Sequence, residues 1–193
     1  MTMSLFPKPT EMAHAWLKKV LVLGDQVIDA TLGNGYDALF LAQCVGPEGR
    51  VHGFDVQEAA LVASTQQMLR HGIVDEVYDW HLASHDKMED YVDSPVKAVM
   101  FNLGYLPGAD HAVMTSAVTT LAALEAAARL IVPGGLMTIV CYPGHAGGDR
   151  EAEAVQSWAS QQGQEWHVVH YAKRATKQAA PELIALQKKE VSR

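Results

Sequence analysis

The sequence predicts a doubly wound α/β domain, a mostly parallel sheet with helices on both faces. Three stretches carry that prediction. Val27-Ile28-Asp29 is a short apolar run ending in a carboxylate. It passes through Gly33-Asn34-Gly35 into Leu39, Phe40, Leu41 and Ala42, which reads as strand, tight turn and helix. Val51 to Asp55 is a second run of the same kind, ending in a carboxylate 20 residues after Gly35. Val96 to Phe101 is a third, and it leads straight into a polar loop that opens at Asn102. Strands alternating with helical stretches are the mark of a parallel sheet with crossover helices.

The elements follow in order. Met12, Ala13, Trp16, Leu17, Val20 and Leu21 recur at helical spacing after Pro9-Thr10, predicting an N-terminal helix over about 10–23 with Gly24 as its stop. His14 sits on that helix, as a satisfied histidine or as part of a lid over a ligand. Gly46-Pro47-Glu48-Gly49 is a turn, and Glu58 to His71 is helical up to Gly72. Tyr78 to Leu82 is the third strand, followed by Ala83-Ser84-His85-Asp86 and a short helix over 87–91. After the fourth strand, Val113 to Ile131 is a long Ala- and Leu-rich helix closed by Pro133-Gly134-Gly135. Leu136 to Cys141 is the fifth strand, with Tyr142-Pro-Gly-His-Ala-Gly-Gly148 as its exit loop. Arg150 to Gln162 is amphipathic. His167 to Tyr171 and Leu183 to Leu186 close the chain as an antiparallel hairpin at the sheet edge, joined by the basic loop 173–181. The sum is a seven-stranded sheet in a single domain spanning 1–193, with the N-terminal helix packed on it.

The bulk numbers set limits. A chain of 193 residues with 49% hydrophobic and 19% charged content can bury a core and is not disordered. No apolar run reaches the length of a membrane span, and Met1 to Pro9 lacks the apolar core of a signal peptide, so a cytoplasmic protein is expected. Cys44 and Cys141 sit in apolar elements as free thiols, and there is no Cys-x-x-Cys. His81 and His85 are spaced as His-x-x-x-His, but they straddle a strand end and a loop, so no metal is expected. The net charge of −7 is uneven: from residue 166 onward Lys173, Arg174, Lys177, Lys188, Lys189 and Arg193 face Glu182 and Glu190, leaving the tail at +4 and the rest at −11. A basic end on an acidic body can meet a phosphate backbone or simply be a solvated surface.

The chemistry concentrates at three strand tips. Gly33-x-Gly35-x-x-Ala38 satisfies the dinucleotide pattern G-x-G-x-x-[GA]. Asp29-x-Thr31-x-Gly33-x-Gly35 also resembles the first motif of S-adenosyl-L-methionine-dependent methyltransferases, with Thr31 in place of a glycine. In both folds an acidic residue at the position of Asp55 holds ribose hydroxyls. Ser84 and His85 border the base or cap the short helix. Asn102-Leu-Gly-Tyr-Leu-Pro107 is similar to the [DN]-P-P-[YFW] loop of amino-methyltransferases, in which the polar oxygen accepts protons from a target amine and the aromatic ring stacks on a base. His145 in the next loop is a candidate proton acceptor or substrate ligand.

Taken together, Asp29 to Asp37, Gly53 to Gln57, Asn102 to Asp110 and Tyr142 to Gly148 resemble the small bacterial class I methyltransferases labelled rRNA methylases. The likeness runs from about His14 to the C-terminus. It implies the Rossmann-like fold of that class, S-adenosyl-L-methionine as methyl donor, and methylation of the amine of 5-aminomethyl-2-thiouridine at the tRNA wobble position. The residues it assigns to the donor are Asp29, Thr31, Gly33, Asn34, Gly35, Asp37, Asp55, Gln57, Ser84, His85 and Asn102. Those it assigns to catalysis are Asn102, Tyr105 and His145. Tyr105, Pro107, Tyr142 and His145 border the substrate, with Lys173, Arg174 and Lys177 tracking the phosphates of an anticodon loop. Tyr36, Ala38 and Ala109 depart from the usual His, Thr and Gly. An rRNA substrate, a small amine, an NAD-dependent oxidoreductase and a non-enzymatic RNA-binding module stay open as alternatives, as does a homodimer.

Overall fold

The computed structural model describes residues 5–104, 117–144, 148–174, 176 and 179–190. In chain order the elements are α1 (Pro9–Val20), β1 (Gln26–Asp29), α2 (Tyr36–Val45), β2 (Arg50–Asp55), α3 (Glu58–Arg70), β3 (Tyr78–Leu82), β4 (Val96–Asn102), α4 (Ala117–Leu130), β5 (Ile131–Cys141), α5 (Gly148–Ser160), β6 (Trp166–Ala172) and β7 (Glu182–Lys188). The strands form one sheet in the order β3-β2-β1-β4-β5-β7-β6. Strands β1 to β5 pair in parallel, while β7 is antiparallel to both β5 and β6. The expected closing hairpin is present, and its second strand lies inside the first, against β5.

Both faces of the sheet are covered because its strands are apolar on both sides. Along β4, Ala98 and Met100 pack with α1 and α2 on one face, and Val99 and Phe101 pack with α4 on the other. Phe101, Phe54 and Leu17 are each fully buried. A large side chain withdrawn from water in this way contributes roughly 1.5–3 kcal/mol, which holds the tip of β4 rigid.

Some boundaries differ from the sequence reading. Helix α1 ends at Val20, not near residue 23: Leu21 turns extended and buries its side chain, and the Val22 N–H is taken by Asp25 Oδ2 at 2.8 Å, around Gly24 at φ 88°. The loop after β3 is a 3-10 turn over His85–Asp90. Strand β5 begins five residues earlier than expected, at Ile131, by pairing Ile131 with Val96 before its glycine bend. Helix α4 is described from Ala117, so the expected start at Val113 lies outside the described residues.

The order of the strands locates the site. From β1 the chain moves outward to β3, then returns to place β4 on the other side of β1. A crevice opens at the carboxyl ends of β1 and β4, where successive connections leave in opposite directions.

Candidate functional site

The turn after β1 brings backbone to the crevice. Gly33 and Gly35 have φ of 50° and 76°, a region that side chains with a Cβ adopt at a cost. A Cβ on Gly35 would lie 2.7 Å from the Cα of Ser64, so α3 could not pack where it does. Ser64 Oγ donates to the Gly33 carbonyl at 3.3 Å, a support from α3 that carries no motif signature.

Asp55 at the tip of β2 braces the same turn. Its Oδ2 accepts the Gly33 N–H at 3.0 Å and its Oδ1 accepts the Gln57 N–H at 2.9 Å. Asn34 is exposed at the turn and Gln57 is half-buried at the start of α3. Asp29 at the tip of β1 is fully buried. Its Oδ1 accepts the Thr31 N–H at 3.1 Å, whereas Oδ2 makes no well-formed hydrogen bond, although the Ala38 N–H also lies toward the carboxyl and favours its charged form. Burial, then the nearby charge of Asp37, pushes its carboxyl up to about 8.

The tip of β4 carries a second unpartnered oxygen. The Asn102 main-chain N–H donates to Thr31 Oγ1 at 2.7 Å and its Nδ2 donates to Asp37 Oδ2 at 3.0 Å. Asn102 Oδ1 is buried and has no partner. Asp37 Oδ1 in turn accepts from His14 Nε2 at 2.7 Å. Tyr142 is half-buried with its hydroxyl close to the Asn102 side chain; burial with the charge of Asp37 raises its hydroxyl pKa, and the contact with Asn102 opposes that rise. Thus Asp29, Thr31, Asp37, Asn102 and Tyr142 converge on one crevice, with His14 behind them.

Other predicted residues fall differently. His85 is buried rather than open to a base: its Nδ1 donates to the Ala30 carbonyl at 3.2 Å, its ring meets the edge of Phe101, and burial lowers its pKa, leaving Nε2 a bare acceptor without a partner. Ser84 is half-buried at the start of the 3-10 turn. Ala172 at the end of β6 pairs with Glu182, which also pairs with Cys141, so the exposed Lys173 and Arg174 follow at the same end of the sheet as Tyr142. Tyr105, Pro107, His145 and Lys177 lie outside the described residues.

The histidines sort by partner. His81 and His85 do not converge. Instead His81 Nε2 meets His52 Nδ1 at 3.4 Å, with Asp79 Oδ2 at 4.0 Å from His81 Nε2. These two rings are nearly coplanar, at 12°, with centroids 5.7 Å apart. The nitrogens therefore meet head-on, which is the geometry of one shared proton; chelation needs lone pairs that converge from different directions. Burial first, then the neighbouring imidazole, lowers His52 to about 4. A cavity of about 460 Å³ lined by Gln26, Arg50, His52, Glu76 and Ser94 lies at the amino ends of the strands, away from Asn102. Cys141 is buried and Cys44 half-buried, both as free thiols.

The sequence reading missed the role of α1, because no local pattern links His14 to Asp37. It also missed two buried carboxylates. Glu151 accepts from Thr120 Oγ1 at 2.6 Å, and Glu182 accepts from His170 Nε2 at 2.8 Å and from Gln156 Nε2.

The chain is similar to known proteins over most of its length. The family described as "Putative rRNA methylase" matches residues 51–187. The chain belongs to this family. A solved family protein described as a "putative rRNA-methylase", from Clostridium thermocellum, is 36% identical, with a TM-score of 0.92 over 96% of this chain and 100% of that one. A "putative methyltransferase" from Streptococcus mutans, solved in complex with SAH, is 33% identical, with a TM-score of 0.86 over 95% and 99%. The chloroplastic tRNA (mnm(5)s(2)U34)-methyltransferase of Arabidopsis thaliana is 40% identical over 163 residues, which is 79% of this methylase-family chain. The chain spans 59% of the length of that curated relative. Among the described residues no helix is long and apolar enough to cross a membrane.

Proposed function

We propose that this chain uses S-adenosyl-L-methionine to methylate the aminomethyl nitrogen of 5-aminomethyl-2-thiouridine at the tRNA wobble position. One observation carries the reading: Asn102 Oδ1 is a buried, unpartnered acceptor at the tip of β4, within the same hydrogen-bonded group as the glycine turn's Asp29 and Thr31. A buried acceptor without a donor costs free energy unless a ligand supplies the N–H. The 40% identity to a wobble-uridine methyltransferase supports the same substrate.

The residues present fit the donor. Asp29 Oδ2 is an unpartnered carboxylate oxygen suited to an ammonium group, the Gly33–Gly35 turn admits close backbone approach, and Asp55 stands where ribose hydroxyls are held. When bound, the donor supplies a methyl group already activated on a sulfonium. The chain's own residues then have to align the amine.

An aminomethyl group is largely protonated near neutral pH, and only its neutral form has a lone pair. Withdrawal of the amine from water on binding favours that neutral form. Asn102 Oδ1 accepts one amine N–H and leaves the lone pair facing the donor side. Tyr105 stacks on the uracil, and Pro107, Tyr142 and His145 border the ring. Lys173, Arg174 and Lys177 meet phosphates of the anticodon loop, whose unstacked bases are open to reading. A dinucleotide oxidoreductase would use the glycine turn and Asp55 but gives Asn102 no task.

The test is chemical. Digested tRNA from cells lacking the protein is expected to contain 5-aminomethyl-2-thiouridine by mass spectrometry, and purified protein plus donor converts it to the methylated form. Normal methylation in those cells, or conversion only of rRNA or of a free small amine, refutes the assignment.

A further inference from the structure

We propose that His14 and Asp37 form a positioning pair that holds the Asn102 amide with its oxygen turned toward the methyl-accepting nitrogen. The proposal rests on the methyl-transfer reading and reassigns Asp37, which the motif alone gives to the donor. Both oxygens of Asp37 are already engaged on the acceptor side, Oδ1 by His14 Nε2 at 2.7 Å and Oδ2 by Asn102 Nδ2 at 3.0 Å.

A carboxylate only accepts hydrogen bonds, so the face of the Asn102 amide that meets Asp37 has to be its NH2. The opposite face, Oδ1, then points away with no partner in a buried position. Flipping the amide would set two oxygens against each other and turn a donor toward the amine. Thr31 Oγ1 holds the Asn102 main chain at 2.7 Å, and of the side chains that meet the amide, Asp37 and Tyr142, Asp37 can accept a hydrogen bond but cannot donate one, so it sets which way the amide faces.

His14 fixes Asp37 in turn. Its ring stacks on Phe40 at 3.8 Å and 5°, and α1 is anchored on either side of it by Ala13 and Leu17, which have no exposure. Asp37 sits in the first turn of α2, where free N–H groups favour a negative charge. The chain of contacts joins residues 23 and 65 positions apart, and gives α1 a purpose beyond covering the sheet.

The test compares His14→Ala, His14→Phe, His14→Gln, Asp37→Asn and Asp37→Ala, all as full chains. His14→Phe keeps the stack on Phe40 without the N–H and serves if the alanine variant unfolds. The expected result is a kcat about tenfold lower or worse in His14→Ala and His14→Phe, with donor affinity within about twofold of wild type. His14→Gln, which still offers a nitrogen donor, recovers most of the rate. Asp37→Asn, which still offers an oxygen to Asn102, keeps more activity than Asp37→Ala. The side-chain NH2 resonances of Asn102, assigned by their loss in Asn102→Ala, shift together in the His14→Phe spectrum. Unchanged kcat, no advantage of Gln over Phe, or donor affinity falling in step with rate overturns the pair. If wild type methylates none of the offered amines, the methyl-transfer reading fails, and the Asn102 resonances still decide whether His14 holds the amide.

Discussion

Donor binding is expected to release a proton from Asp29. The perturbation is Asp29→Asn. In the free protein burial and the charge of Asp37 push the Asp29 carboxyl up to about 8. At pH 7 such a group is mostly protonated, and ionising it costs free energy. A cationic donor next to Oδ2 favours the carboxylate and lowers this pKa, so binding at pH 7 expels part of a proton. Affinity then rises as pH rises from about 5.5 to about 7, by at most about tenfold per pH unit, a window that stays clear of the donor's own α-amino group at roughly 7.7–8.0. Isothermal calorimetry in two buffers of different ionisation enthalpy counts the proton, and fluorescence titration from pH 5.5 to 7 gives the slope. The amide variant should bind with no slope from this site and no release. Equal proton release by wild type and Asp29→Asn, or a flat wild-type slope, refutes the reasoning. The sign for stability runs the other way: the free fold holds a proton that the unfolded chain gives up, so its stability falls as pH rises from the ordinary carboxylate range through about 8.

Other outcomes are expected from the same geometry. Asn102→Ala is expected to keep donor binding and lose turnover by at least about tenfold in a single-turnover assay, because it removes the acceptor proposed for the amine. Asp55→Ala is expected to weaken donor binding by about 1.5–3 kcal/mol in calorimetry, since its oxygens brace the Gly33 and Gln57 N–H groups beside the proposed ribose site. Gly35→Ala forces a left-handed Cβ to within 2.7 Å of Ser64 and is expected to cost about 2–5 kcal/mol, read as a fall in Tm of roughly 5–15 °C. A thiol reagent labels Cys44 in the native protein and reaches Cys141 only on unfolding, because Cys141 is 1% exposed and its burial pushes the thiol pKa strongly up.

Much of this protein was legible in one dimension. Alternating apolar strands, glycines with positive φ and carboxylates at strand tips are short-range features, fixed by backbone sterics and by a buried strand's need for apolar neighbours on both faces. That is why Asp29, Gly33, Gly35, Asp55 and Asn102 could be named from their spacing, and why the turn and strand tips lie where expected. The family pattern added the donor and the amine. The end of α1 was not legible, because the Asp25 side chain captures the Val22 N–H ahead of the glycine. Nor was the inward turn of His85, which follows from a single carbonyl on β1's exit, 55 residues away. Partnership between distant side chains was settled by folding alone. Hydrogen bonds between side chains far apart in sequence leave no period to read, so His14 could meet Asp37, and Asp37 could meet Asn102, only once the sheet had brought α1, α2 and β4 to one end. Local pattern marked Asp29, Asp55 and Asn102 as strand-tip groups; folding engaged both oxygens of Asp37 and of Asp55 and left Asp29 Oδ2 and Asn102 Oδ1 among the buried oxygens without a partner in the described residues.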